Sequence, residues 1–149
     1  MEILSLLGDG IFVALQPLNL LLIFVGVTLG LFIGAMPGLG SVNGVAILLP
    51  ITFLVPPGSA IIFLAAIYYG AMYGGAISSI TLGIPGASTA VATTFDGRPL
   101  ALQGKARLAL VAAAIASFVG GTVSVVLFTG FAPLLATVAL SFGPPEIFA

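Results

Sequence analysis

Apolar residues in this chain fall in long unbroken runs, and the few interruptions of those runs define its elements. Residues 2–15 set Ile3, Leu4, Leu6, Leu7, Ile11, Phe12 and Val13 at near-helical spacing among Glu2, Ser5 and Asp9. That pattern predicts an interfacial N-terminal helix within residues 1–16, followed by a transmembrane region over residues 17–149. Pro17 suits the first turn of the next helix. Residues 18–36, LNLLLIFVGVTLGLFIGAM, give roughly 28 Å of helix at 1.5 Å per residue, enough for a ~30 Å hydrocarbon core. Residues 42–55 are apolar but short for a span, and Pro50 interrupts them. After Pro56-Pro57-Gly58, Ser59 is predicted to N-cap a helix over residues 60–82, long enough to cross with a tilt. Residues 83–107 are the least membrane-like part, with an Asp-Gly turn predicted at Asp96-Gly97 ahead of Arg98-Pro99. Residues 108–131 predict a further span, and residues 133–142 begin another element that stops at Gly143-Pro144-Pro145.

Composition turns this pattern into a class. The chain is 60% hydrophobic and 5% charged, far below the roughly 25% charge of a soluble domain. Every position from Gly10 to Phe95 is uncharged. The fold class expected is an all-α, multi-pass membrane protein in a lipid bilayer. With neither Cys nor His, thiolate, imidazole and Cys/His zinc chemistry are excluded, and no catalytic or metal-binding residue is expected. Three basic residues against four acidic ones leave no footprint for nucleic acid. The first fifteen residues lack the positive region and small-residue cleavage site of a secretory signal. Arg98, Lys105 and Arg107 are the only basic side chains, so the positive-inside rule puts the loop at residues 96–107 in the cytoplasm.

Glycine and tyrosine recur with helical spacing. Gly26, Gly30, Gly34 and Gly38 stand four residues apart, as do Gly70 and Gly74. Such rows allow close helix contact in lipid, which makes packing the first role to assign them and ligand contact the second. Tyr68, Tyr69 and Tyr73 lie within one predicted span; a headgroup belt and a cavity lined by Tyr69 and Tyr73 both fit that spacing.

Two segments repeat one design: Met36-Pro37-Gly38-Leu39-Gly40-Ser41 and Ile84-Pro85-Gly86-Ala87-Ser88-Thr89. Proline withholds a backbone donor and restricts the residue before it, while glycine opens conformations other residues avoid, so each segment breaks a helix. As surface turns they would need no further role. Inside a membrane protein a broken helix must face protein or a water-filled cavity, because open backbone in lipid costs several kcal/mol per group. A helix that restarts after such a break aims its free N–H groups and positive dipole end past the break. Ser41, Asn43, Ser88 and Thr89 would add side-chain donors, a set suited to a carboxylate without any Lys or Arg. The small-residue stretch after the second break and the shortness of the run after the first favour broken or re-entrant segments over plain turns.

The strings GAMPGLGSVNGVAILLP, AAIYYGAMYGGAISSITLGIPG, FDGRPLALQGKARLAL and FGPPEIFA, in this order from about Pro17 onward, resemble the large membrane subunit of the tripartite tricarboxylate transporters. The resemblance implies a permease of the bacterial inner membrane, working by secondary active transport as a symporter of tricarboxylates or related organic anions. It also implies two partners, a small membrane subunit and a periplasmic solute-binding protein. Family members are longer chains with two related halves, so this chain would be the N-terminal portion, part of one half of an inverted-repeat transporter. The family motifs fall on Gly34, Pro37, Gly38, Leu39 and Gly40; on Tyr68, Tyr69, Gly70, Tyr73, Gly74 and Gly75; on Pro85 and Gly86; and on Asp96, Gly97, Pro99, Gly104 and Lys105. The substrate-binding residues expected are Gly38, Gly40, Ser41, Asn43, Gly86, Ser88 and Thr89.

No organic cofactor is expected. For the coupling ion, sodium is favoured over protons, because proton relays use buried carboxylates and the stretch from Gly10 to Phe95 has none, whereas carbonyls and hydroxyls at helix breaks hold sodium. The competing reading is a truncated, non-transporting fragment that only inserts and packs with partner subunits, motivated by the abrupt end after Glu146. An enzymatic reading is weakest: Asp96 and Arg98 have no base beside them and read as a solvated pair.

Overall fold

A computed structural model of the chain describes residues 2–140, and these residues are helical almost throughout, with no strand among them. The helices are α1 (Glu2–Ala14), α2 (Pro17–Ala35), α3 (Gly40–Leu48), α4 (Pro57–Leu82), α5 (Val91–Leu100) and α6 (Ala106–Leu140). Six residues of 3₁₀ helix, Leu49–Leu54, extend α3, and a single 3₁₀ turn, Ser88–Ala90, precedes α5. Three helical stretches are long and apolar enough to cross a membrane: α2, α4 and one within Ser88–Ala132.

The core is the contact between α2 and α4, and glycine makes it. Gly26, Gly30 and Gly34 are buried on one face of α2. A Cβ at Gly26 would stand 2.9 Å from the Ala66 Cβ, and one at Gly30 or Gly34 would overlap the backbone of Ile67 or Ala71. Gly70 and Gly74 return the contact against Val27 and Leu31. In lipid, where apolar burial gives little drive between helices, such backbone-to-backbone approach supplies van der Waals contact instead. On α2 no large apolar side chain is buried, and Phe24 and Phe32 are 73% and 70% exposed, while Phe63 and Ile67 of α4 are buried in the contact.

These contacts fix direction. Partners on α4 advance from Phe63 through Ile67 to Ala71 as α2 advances from Gly26 to Gly34, so the two helices run parallel. The chain must therefore return between them, and Gly44 packed on Ile33 shows α3 heading back along α2. The nine residues of α3 and six of 3₁₀ helix rise about 25 Å, since a 3₁₀ residue advances about 2.0 Å against 1.5 Å in an α-helix. The segment expected to be too short to span is thus a stretched return path almost as long as α2.

Local expectations need correction at three further points. Ser59 is not the cap of α4: Pro56 is, its carbonyl accepting the Ala60 N–H at 2.9 Å, and Ser59 is buried in the first turn. Asp96-Gly97 makes no turn, so residues 96–107 are not a loop. Both residues lie in α5, where buried Gly97 fits against Ile80 at a spot that would leave a Cβ only 2.6 Å from that side chain. Tertiary contact overrides turn propensity there, and the chain bends instead at Gly104, with φ +77°. Finally, no element boundary falls at position 133, since α6 runs on to Leu140. Gly143-Pro144-Pro145 and the closing FGPPEIFA motif lie outside the described residues.

The chain divides into two compact units at Ala113. The first holds everything described above up to that residue. Within the second, α6 carries exposed Phe118, Val123, Phe128 and Phe131, an apolar surface of the kind lipid or another helix covers.

Candidate functional site

Both Pro-Gly motifs interrupt helices, each by its own means. α2 ends at Ala35, and Met36 and Leu39 close a tight reversal by donating to the Ile33 and Met36 carbonyls at 3.1 and 3.3 Å. Gly38 and Gly40 make that reversal possible, with φ of +87° and +68°, a region that strains any L side chain. α4 ends at Gly83, whose N–H reaches the Ser79 carbonyl at 3.1 Å, the usual left-handed helix stop.

After Gly83 the chain folds back into the protein. Gly86 lies against Gly34 of α2 and Gly75 and Ser78 of α4, about two turns before the end of α4, where a Cβ would overlap the Gly34 carbonyl oxygen. Ser78 and Ser79 both donate to the Gly75 carbonyl, at 3.0 and 2.8 Å, so their hydroxyls are satisfied inside α4 at this crowded point. Ala90 also packs by Gly75. The direction then reverses: Gly97 reaches Ile80, and Arg98 reaches Thr81 and Gly83. Residues 83–100 thus form a re-entrant hairpin along the last two turns of α4. α6 then runs back, and the Tyr73 hydroxyl donates to the Leu110 carbonyl at 3.1 Å.

Folding back brings the two breaks together around a cavity of about 460 Å³, within the ~300–1,000 Å³ range of small-molecule sites. Its walls are residues 38–42 of the first break, residues 85–89 and Val91 of the second, and Tyr68 and Met72 of α4. No wall residue is charged. α3 leads away from the cavity toward the start of α2, and the Ser88–Ala90 turn with α5 leads away toward the end of α4. Two helix N-termini therefore point into one space from opposite sides, presenting N–H groups that lack intrahelical partners.

Of the seven residues expected at a binding site, Gly38, Gly40, Ser41, Gly86, Ser88 and Thr89 line this cavity and Asn43 does not. Asn43 is on an exposed face of α3, because the two residues from Ser41 turn it about 200° around the helix, to the side opposite Ser41. Ser41 is buried, and Thr89 sits 3.7 Å from the Met72 sulfur. Gly86 has a second task as the close contact that seats the hairpin on α2. The tyrosines sort differently from either expectation. Tyr68 lines the cavity, Tyr73 ties α4 to α6, and Tyr69 is exposed, edge-on to Tyr68 with ring centroids 6.2 Å apart. The i, i+4 pair Tyr68 and Met72 was the available signal for this wall.

Apolar spans that part at Pro-Gly breaks around an open cavity define a multi-pass helical membrane protein. The family model of the tripartite tricarboxylate transporter TctA family matches residues 20–149, and the chain belongs to that family, one of transporters and not of enzymes. It is 46% identical, over all 149 residues, to an uncharacterized 52.8 kDa protein in the TAR-I ttuC' 3' region of Agrobacterium vitis, and it spans 30% of that relative's length. No solved structure matches the chain.

Proposed function

We propose that this chain is part of the large membrane subunit of a binding-protein-dependent secondary transporter, and that the cavity between the two breaks receives a tricarboxylate or related organic anion. The observation that carries the reading is the convergence of two helix N-termini on one uncharged cavity. A carboxylate there meets N–H groups and dipole ends from both sides, with hydroxyls of Ser41, Ser88 and Thr89 in the same walls, and so needs no buried cation. Family membership supports the substrate class and implies partner subunits, which we take to be a small membrane subunit and a periplasmic solute-binding protein.

Arg98, Lys105 and Arg107 cluster where the hairpin ends and α6 begins, so this end faces the cytoplasm of a bacterial inner membrane under the positive-inside rule. The cavity then lies about two turns in from the cytoplasmic side. Sodium is the coupling ion in this reading, held by carbonyls and hydroxyls at the breaks, since no carboxylate occurs from Gly10 to Phe95.

The test is uptake of labelled citrate and other carboxylates into proteoliposomes holding the full-length complex with its binding protein, with a sodium or a proton gradient. Ser41→Ala and Ser88→Ala each raise KM about tenfold, the effect of losing a hydrogen bond to a charged group, while the amount of protein inserted stays unchanged. Unchanged KM in both variants would place the anion elsewhere, and uptake driven by a proton gradient alone would remove sodium.

A further inference from the structure

The wall formed by residues 85–91 is seated on the helices at Gly86, against Gly34 and Gly75, and at Ala90, by Gly75, while Ser88 and Thr89 between them are exposed. Two further contacts, at the far end of the hairpin, tie it to α4. The Arg98 guanidinium donates from Nη1 to the Thr81 carbonyl, one of the last-turn carbonyls of α4 that have no intrahelical partner. Its side chain also lies along Gly83, with Nε, Cδ and Cγ 3.3 to 3.5 Å from where a Cβ on that glycine would stand. One residue earlier, Gly97 is buried against Ile80, itself fully buried.

A cation at a helix C-terminus is favoured by the dipole as well as by the hydrogen bond. Arg98 therefore caps α4 and holds α5 with one side chain. Both ends of the tethered segment are glycines with positive φ, Gly83 at +74° and Gly104 at +77°, so the chain bends at each flank instead of continuing as one helix.

We infer that Arg98 is a positioning residue for the anion site: by fastening α5 to the end of α4 it sets where the hydroxyls of Ser88 and Thr89, just ahead of α5, stand in the cavity. This inference rests on the cavity being the anion site. Arg98 itself does not line the cavity and acts only through the hairpin.

The experiment uses the full-length complex in proteoliposomes, freed of other thiols, with Val91→Cys as a reporter on the cavity wall; this chain has no cysteine of its own. Arg98→Ala raises KM for the anion on the order of tenfold, with a smaller change in maximal rate, and speeds alkylation of the reporter by a membrane-impermeant maleimide. Arg98→Lys, which keeps a cationic donor, recovers most of both effects. Gly97→Ala pushes a methyl against Ile80 and moves both readouts in the same direction as Arg98→Ala, by a route that leaves the guanidinium present. A merely structural role would lower the inserted amount and the maximal rate while leaving KM and labelling rate per inserted molecule alone, and that result overturns the inference. Citrate protection of the wild-type reporter tests the site separately. Without protection the cavity reading fails, while a faster reporter in Arg98→Ala still establishes the tie.

Discussion

The α2–α4 contact and the cavity between the breaks are both built from glycine, and glycine does opposite things in them. At Gly30, Gly34, Gly70 and Gly74 the backbone is helical and the space beside it is filled by the neighbouring backbone. At Gly38 the backbone is left-handed and nothing lies within 4 Å of where a Cβ would be. One set is there because nothing else is small enough, the other because nothing else bends that way. Spacing in the sequence treats Gly26, Gly30, Gly34 and Gly38 as one row, and the structure divides the row after its third member. Gly86 joins the two regions: it bounds the cavity and at the same time abuts the Gly34 carbonyl. Its replacement would damage packing and site together, which makes it a poor probe of either.

Substitutions separate the two roles. Gly34→Val forces a branched side chain into the Ala71 backbone, so loss of properly inserted protein is expected, at least the 1–3 kcal/mol typical of overpacking. Detergent-solubilised thermal unfolding measures it, and a melting temperature equal to wild type would show that α2 and α4 do not depend on close approach. Gly38→Ala meets no neighbour but must hold a left-handed backbone, which costs about 1–2 kcal/mol. Here the expected result is normal insertion with several-fold weaker uptake, and a fall in the amount inserted would blur the distinction between the two kinds of glycine. Asn43→Ala, outside the cavity, should leave KM within about twofold of wild type, well under the tenfold given by one charged hydrogen bond; a larger rise would enlarge the site beyond the walls described.

The parts legible in the sequence are those governed by local or periodic chemistry. α2 and α4 announce themselves by unbroken apolar runs, and their glycines by a four-residue period that matches helix geometry. Both breaks follow from Pro-Gly, and six of the seven residues named around them fall on one cavity. What stayed hidden depends on meetings between distant segments. Nothing near Asp96-Gly97-Arg98-Pro99 says helix, because α5 is held by Ile80 and the Thr81 carbonyl on another element. The hairpin's path likewise depends on Gly86 meeting Gly34, and that path makes Tyr68 and residues 85–89 walls of the same cavity. Asn43 falls outside the cavity for a related reason: nearness in sequence to a break does not fix which side of α3 a residue occupies.

Because α2 and α4 run parallel, the stretch Gly40–Leu54 acts as a ruler. Part of it is already drawn out to the longer rise of a 3₁₀ helix, and it still covers slightly less than the length of the helix it accompanies. A deletion there has little slack to absorb it and would pull the two glycine faces out of register, whereas an insertion could relax the 3₁₀ turns into α-helix. Among relatives that keep the glycine rows, the number of residues between Gly40 and Pro57 should vary less than their identity does.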